Sequence, residues 1–151
     1  MRTVLTCLTI AVLFSACGRN GQLESDEELR ALITAEIDAA VSGNVGLAPL
    51  SEIAGFPWSH LLVLSPYSPL DEIGAQLGVE LGHLRHFDIG RRDDITLLVF
   101  LDGKMPVRAV AYPRSHGDFA EIEPVLIPRR MAIFHLEPMP SGLVRIRLVG
   151  M

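Results

Sequence analysis

Two apolar runs separated by a turn signal constrain the fold of this chain most strongly. Residues 95–101 (ITLLVFL) and 105–112 (MPVRAVAY) lie on either side of Asp102-Gly103. This dipeptide between two such runs predicts a tight β-hairpin, because both central residues of that turn need positive φ. Pro106 has no N–H to donate to a ladder, so the second strand is expected at a sheet edge or with an irregular start. An antiparallel sheet follows from this pairing.

Three further segments read as strands. Residues 58–64 are apolar on both faces over their last four positions, which predicts a central strand. Residues 131–136 and 143–149 form a second pair around a Pro-Ser-Gly turn. In the last run, apolar residues alternate with Arg145 and Arg147, so one face is expected to be buried and the other solvated.

Two helices are expected between these strands. Ser25 followed by Glu28 is a capping box at the start of an apolar stripe that ends at Gly43. A shorter helix follows Ser68-Pro69 and ends at Gly78. Residues 44–57 read as connecting loop, because glycine and proline recur there. The predicted fold is α+β, with an antiparallel sheet of about five strands and two helices packed on one face.

The first residues of the chain predict export. Residues 4–16 are uncharged and mostly apolar, but a membrane span needs about 20 such residues. A run of this length after Arg2 is typical of the h-region of a secretory signal peptide, and Ser15 and Ala16 supply the small residues before a cleavage site. One interpretation is ordinary cleavage after Ala16, without lipidation of the following cysteine.

The sequence Leu13-Phe14-Ser15-Ala16-Cys17 resembles the lipobox of bacterial lipoprotein precursors, in which an apolar residue and small residues precede an obligatory cysteine. It departs from the usual pattern at Phe14, where leucine is commonest. The resemblance implies cleavage before Cys17 and acylation of its sulfur, which anchors the protein in a membrane of the bacterial cell envelope on its extracytoplasmic side. The expected organisation is a signal peptide at 1–16, the lipidated cysteine and a tether at 17–24, and one globular domain at 25–151.

Export and charge limit the partners. Cys7 is lost with the signal peptide, so no disulfide within the mature chain is expected. The formal net charge of −5 becomes −6 when Arg2 is removed, which disfavours nucleic acid as a partner. The expected partners are the membrane, through acylated Cys17, and an envelope protein or a small ligand.

Four residues are candidates for binding. Trp58 and Tyr67 flank a predicted strand, where their rings either close the ends of the core or form a ledge for a ligand. Residues 56–77, which contain both, resemble a stretch of small bacterial lipoproteins of undescribed role, and this resemblance implies no catalytic residue. Arg145 and Arg147, together with the Arg129-Arg130 pair, form either a basic strip for an acidic partner or a lipid headgroup, or a solvated face.

The chain also contains residue types that catalyse reactions or bind metals elsewhere. His83, His86 and Asp88 are clustered, but no fourth ligand accompanies them at the spacing of a zinc site. Ser115, His116 and Asp118 are too close along the chain for a catalytic triad, whose members converge from separate elements. We therefore expect no catalytic residue, metal or cofactor, and a non-enzymatic binding or interaction module. The alternative is an envelope hydrolase or metal-dependent enzyme that uses His83, His86, Asp88 or His116.

Overall fold

The computed structural model describes residues 21–123 and 125–150. The predicted signal peptide, Cys17 and the first tether residues lie outside the described part. Within it, the chain forms two α-helices, α1 (Glu27–Ser42) and α2 (Leu70–Leu77), and seven strands: β1 (Leu47–Pro49), β2 (His60–Leu64), β3 (Ile95–Asp102), β4 (Met105–Pro113), β5 (Leu126–Pro128), β6 (Ile133–Pro138) and β7 (Val144–Leu148). Three 3-10 helices are also present, at Leu50–Glu52, Gly82–Phe87 and Arg129–Met131.

The strands form two antiparallel sheets instead of one. One sheet has the order β4-β3-β2-β5 and the other the order β1-β6-β7. The α+β class is confirmed, but the single sheet of about five strands is wrong. The two strands missing from the predicted number, β1 and β5, are three residues long and each end in proline. Segments so short have no period from which a strand can be predicted.

The two helices lie on opposite faces of the four-stranded sheet, so their prediction on one face is also wrong. Leu98 and Phe100 of β3 belong to a core shared with α1 and the three-stranded sheet. Leu97 and Val99 belong to a second core, which α2 and the 3-10 helix Gly82–Phe87 cover. Because both faces are buried, β3 is a continuous apolar run without alternation.

The start of α1 differs from the predicted capping box. Asp26 is the N-cap, and its carboxylate accepts a hydrogen bond of 2.9 Å from the Leu29 N–H. Ser25 instead pairs with the outer edge of β4, where its hydroxyl accepts from the Ala111 N–H at 3.1 Å. Tertiary pairing of Ser25 with β4 therefore moves the cap by one residue.

The predicted hairpin is present, with a turn one residue later than expected. Asp102 pairs with Met105, so the central turn residues are Gly103 and Lys104. Of these two, Gly103 has a positive φ, at 60°. β4 is an edge strand, as Pro106 predicted. Neither α-helix in the described part of the chain has both the length and the hydropathy that a membrane span requires.

Candidate functional site

The predicted binding residues do not converge on one place. Trp58 and Tyr67 lie just beyond the two ends of β2, and Arg145 and Arg147 lie on β7 in the other sheet. Each location therefore has to be considered separately.

Trp58 is buried, with 4% of its surface exposed. Its ring packs edge-on against Phe100 at a centroid distance of 5.0 Å, and its indole N–H donates to the Ile53 carbonyl at 3.0 Å. The Arg129 guanidinium lies over the ring, 4.7 Å from its centroid, and donates to the carbonyls of Ser51 and Ile53. The ring is therefore enclosed on the side of the core and on the side of Arg129.

Tyr67 is the opposite case, because 62% of its surface is exposed. Its backbone has a φ of 63°, which is unusual for a residue with a bulky side chain. The Tyr67 N–H donates to the Ile89 carbonyl at 2.9 Å, which holds the turn after β2 against the end of the 3-10 helix region. This aromatic ring is presented to solvent.

Arg145 and Arg147 lie on the face of β7 that points away from the core, and carboxylates lie beside both. Glu137 on β6 is 3.8 Å from the Arg145 guanidinium and 3.5 Å from that of Arg147. Glu121 approaches Arg145 at 3.9 Å. Arg129 is not part of this group, because it packs on Trp58. The predicted basic strip is therefore a surface of mixed charge.

Two cavities lie along this side of β7. A small one of about 80 Å³ is lined by Asp118, Glu121, Met139, Leu143 and Arg145. A larger one of about 310 Å³ is lined by Glu121, Glu123, Arg147 and Leu148. Glu121 borders both cavities, and we treat these two neighbouring cavities as one site. We call this the β7 groove.

A charged hydrogen-bonded pair fixes the wall of the β7 groove. Arg114 donates to both carboxylate oxygens of Asp118, at 2.9 and 2.8 Å, and also to the Asp93 carbonyl. The hydrogen bond from Arg114 lowers the pKa of the Asp118 carboxyl, and the same bond raises the pKa of Arg114. Asp118 is therefore an anion in a fixed position at neutral pH.

The arginines of β7 are held less tightly than Arg114. Among the described residues, the guanidiniums of Arg145 and Arg147 form ion pairs at 3.5 to 3.9 Å without a hydrogen bond. Charged hydrogen bonds are shorter, at about 2.7 to 2.9 Å, and much stronger. A ligand in the groove can therefore reorient these two side chains at little energetic cost.

The residues of the enzymatic alternative lie outside this groove. His83 and His86 are on the 3-10 helix Gly82–Phe87, and Asp88 follows it with a φ of 52°. The His86 ring packs on Phe87 at a centroid distance of 4.2 Å. His116 lies in the loop after β4, on a different element. Within residues 21–123 and 125–150, no three histidine, cysteine or acidic side chains are grouped as a metal site.

Glu121 and Glu123 are the groove residues that sequence reasoning missed. They stand in a segment without periodicity, and nothing in the sequence places that segment beside β7. The chain was compared with protein-family models, curated proteins and solved structures, and none of them matched.

Proposed function

We propose that this protein is a lipid-anchored component of a bacterial cell envelope that binds another envelope protein through the β7 groove. The anchor is Cys17, at the end of the lipobox-like sequence. The bound surface is the mixed-charge groove between β7 and residues 121–123. The protein acts without a metal, a cofactor or catalysis.

The loose pairing of Arg145 and Arg147 beside the cavities carries the binding part of this proposal. Both side chains lie within 4 Å of carboxylates and keep their hydrogen-bonding capacity available to a partner. Because acidic side chains surround them, a purely anionic partner such as nucleic acid is repelled as well as attracted. A polypeptide presents both signs of charge and backbone hydrogen-bonding groups, so it fits this surface better.

The end of the tether packs against the domain, which limits the distance between the domain and its anchor. Leu23 packs against the core on the α2 side of the four-stranded sheet, and Glu24 lies 3.9 Å from His86. Cys17 is four residues before Gly21, so its Cα is at most roughly 14 Å from that of Gly21. The acyl chains of Cys17 would therefore keep the domain close to the membrane surface.

Anchoring is tested by intact-mass spectrometry of the mature protein purified from a bacterial host that processes lipoproteins. We expect a chain that begins at Cys17 and carries the mass of its acyl groups, and membrane fractionation that is lost in Cys17→Ser. Two or more acyl chains hold a protein stably, because each buried methylene contributes about 0.8 kcal/mol. An unmodified Cys17 thiol would contradict the anchor.

Binding is tested by cross-linking in intact cells. A discrete cross-linked species is expected with wild type and not with the double variant Arg145→Gln/Arg147→Gln. The matched control is Arg85→Gln/Arg91→Gln, which removes the same charge from exposed positions outside the groove and should retain the species. If both double variants retain it, the partner does not use the β7 groove.

A further inference from the structure

We propose that a cleft beside the first turns of α1 contacts the zwitterionic phospholipid surface of the membrane in which Cys17 is anchored. This inference rests on the proposed anchor and names the face of the domain that lies against the lipid. The cleft has a volume of about 240 Å³. Its lining includes Asp26, Glu28, Leu29, Leu32, Phe56 and Arg108. We call it the α1 cleft.

The tether joins the domain at the outer edge of β4, beside this cleft. Ser25 pairs with Ala109 in the parallel direction, and the Asp26 N–H donates to the Ala109 carbonyl at 2.8 Å. The Ala111 N–H also donates to the Ser25 hydroxyl at 3.1 Å. Asp26 lines the α1 cleft, and so does Arg108, the residue before Ala109. The cleft and the end of the tether therefore share the β4 edge.

The length of the tether restricts which side of the domain can touch the lipid. Leu23 packs against the domain and is six residues after Cys17, so the Cα atoms of the two residues are at most roughly 21 Å apart. A globular domain of this size is roughly 35 Å across. If the side opposite the β4 edge touched the lipid, Leu23 would lie farther from the membrane surface than the tether reaches. The membrane contact is therefore restricted to the side of the β4 edge.

The α1 cleft presents apolar side chains on this side of the domain. Leu32 is 57% exposed. The half-buried ring of Phe56 is held edge-on against Phe100, at a centroid distance of 5.6 Å. A single exposed leucine is ordinary on a protein surface. Here Leu32 and Phe56 line one concave site next to the tether, and the boundary between headgroups and acyl chains takes up side chains of this kind.

Arg108 supplies a cation at the same place. Its guanidinium carbon lies 5.5 Å from the centroid of the Phe56 ring. Its pairing with Asp26 is loose, at 3.6 Å, and half of its side-chain surface is exposed. An arginine can keep its stem on apolar surface while its charged group reaches the polar layer. The guanidinium is therefore available for charged hydrogen bonds to a lipid phosphate.

The carboxylates of the α1 cleft favour a zwitterionic lipid over an anionic one. Asp26 and Glu28 line the cleft, and Glu28 forms no ion pair with a described residue. The whole chain also has a formal net charge of −5, which opposes contact with a strongly anionic surface. A zwitterionic headgroup offers its phosphate to Arg108 and its cationic amine to Glu28. Both charges of the headgroup are then matched by charges of the cleft.

The test uses the mature, acylated protein reconstituted in phosphatidylcholine vesicles. An environment-sensitive fluorophore is attached to Leu32→Cys, and in the matched control to Val45→Cys. Val45 is 65% exposed and follows the other end of α1. Each variant has one thiol to label, because the chain has only two native cysteines, Cys7 leaves with the signal peptide and Cys17 is acylated.

Lipids that carry a nitroxide on the upper part of the acyl chain quench a fluorophore that lies at the membrane interface. We expect the label on Leu32→Cys to be quenched at least threefold more strongly than the label on Val45→Cys. Equal quenching of the two labels, or stronger quenching of the control, would overturn the proposal.

Substitutions at the charged positions test the headgroup contact. Arg108→Gln should remove at least half of the quenching of the Leu32→Cys label, whereas Arg108→Lys, which keeps the charge, should retain most of it. The matched variant Arg91→Gln removes an exposed guanidinium outside the α1 cleft and should leave the quenching unchanged. Full quenching in Arg108→Gln would contradict the role of Arg108.

Vesicle composition tests the choice of lipid. Quenching of the Leu32→Cys label should fall at least twofold when phosphatidylglycerol replaces phosphatidylcholine, and Glu28→Gln should make this fall smaller. The matched variant Glu72→Gln removes an exposed carboxylate from α2 and should leave the fall unchanged. Stronger quenching in phosphatidylglycerol would show that the cleft prefers an anionic surface, and the proposal would be wrong.

Two further outcomes separate this inference from the proposed function. If mass spectrometry shows acylated Cys17 but the two labels are quenched equally, the membrane-facing cleft is wrong and the anchor stands. If the quenching is as expected but cross-linking does not depend on Arg145 and Arg147, the partner site in the β7 groove is wrong and the α1 cleft stands.

Discussion

Arg114 and Asp118 form a bidentate pair, with Nε to Oδ1 at 2.9 Å and Nη2 to Oδ2 at 2.8 Å. Arg114 follows β4 of the four-stranded sheet directly, and the backbone of Asp118 pairs with β7 of the three-stranded sheet. This pair therefore connects the two sheets beside the β7 groove. Phe119 follows Asp118 directly, and its buried ring lies edge-on to Tyr112 and Phe134.

The first prediction concerns the stability that this pair contributes. Asp118→Asn should lower the free energy of unfolding by about 1.5 kcal/mol at pH 7, the lower end for a hydrogen bond to a charged group, because both side chains are partly exposed. Urea denaturation of the two proteins measures this difference. Asp94→Asn, which breaks a more exposed pair with Arg92, should cost less.

The same pair should make stability depend on pH. The pKa of Asp118 in the folded protein lies below its ordinary value of 3.8, because Arg114 stabilises the carboxylate. Its contribution is therefore fully present above about pH 4 and is lost as the pH falls through the folded pKa. The difference between wild type and Asp118→Asn should shrink below pH 4. A difference that stays constant down to pH 2 would contradict this account.

A second prediction concerns Trp58 as a core residue. Trp58→Ala should lower the free energy of unfolding by about 3 to 5 kcal/mol, since it removes a buried ring and its packing against Phe100. Trp58→Phe should cost less, because it retains an aromatic ring, and Arg129 still donates to the Ile53 carbonyl. A loss below about 1 kcal/mol in Trp58→Ala would make Trp58 a binding residue instead of a core residue.

A third prediction distinguishes the two candidate caps of α1. Asp26→Ala should cost about 1 kcal/mol, whereas Asp26→Asn should be nearly neutral, because asparagine also accepts a hydrogen bond from the helix N–H groups. Thermal or urea denaturation of both variants checks this. If Glu28→Ala is as costly as Asp26→Ala, the capping box predicted from the sequence operates after all.

A fourth prediction concerns metals. We expect no transition metal to copurify with the protein, because His83 and His86 are not grouped with a third ligand among the described residues. Elemental analysis of protein purified without chelators measures this. Stoichiometric zinc that is lost in His83→Ala would favour the metal-dependent enzyme.

The local elements could be predicted from the sequence because their signals are local. The run 95–101 before Asp102-Gly103 identifies β3 and the hairpin, and the apolar stripe that ends at Gly43 identifies α1. Side-chain periodicity and turn chemistry act over a few residues, so neighbours along the chain suffice to determine them. The pairing of the last two strands was predicted correctly for the same reason.

The tertiary structure alone decided which surfaces meet. β1 pairs with β6 across more than eighty residues, and these strands form a sheet with β7 that is separate from the four-stranded one. The two helices cover opposite faces of the four-stranded sheet. Ser25 pairs with β4, and the cap of α1 moves to Asp26. Glu121 borders the β7 groove because Asp118, three residues earlier, pairs with β7. These contacts join residues far apart in sequence, and their energies depend on burial and hydrogen bonding that exist only once the chain has folded.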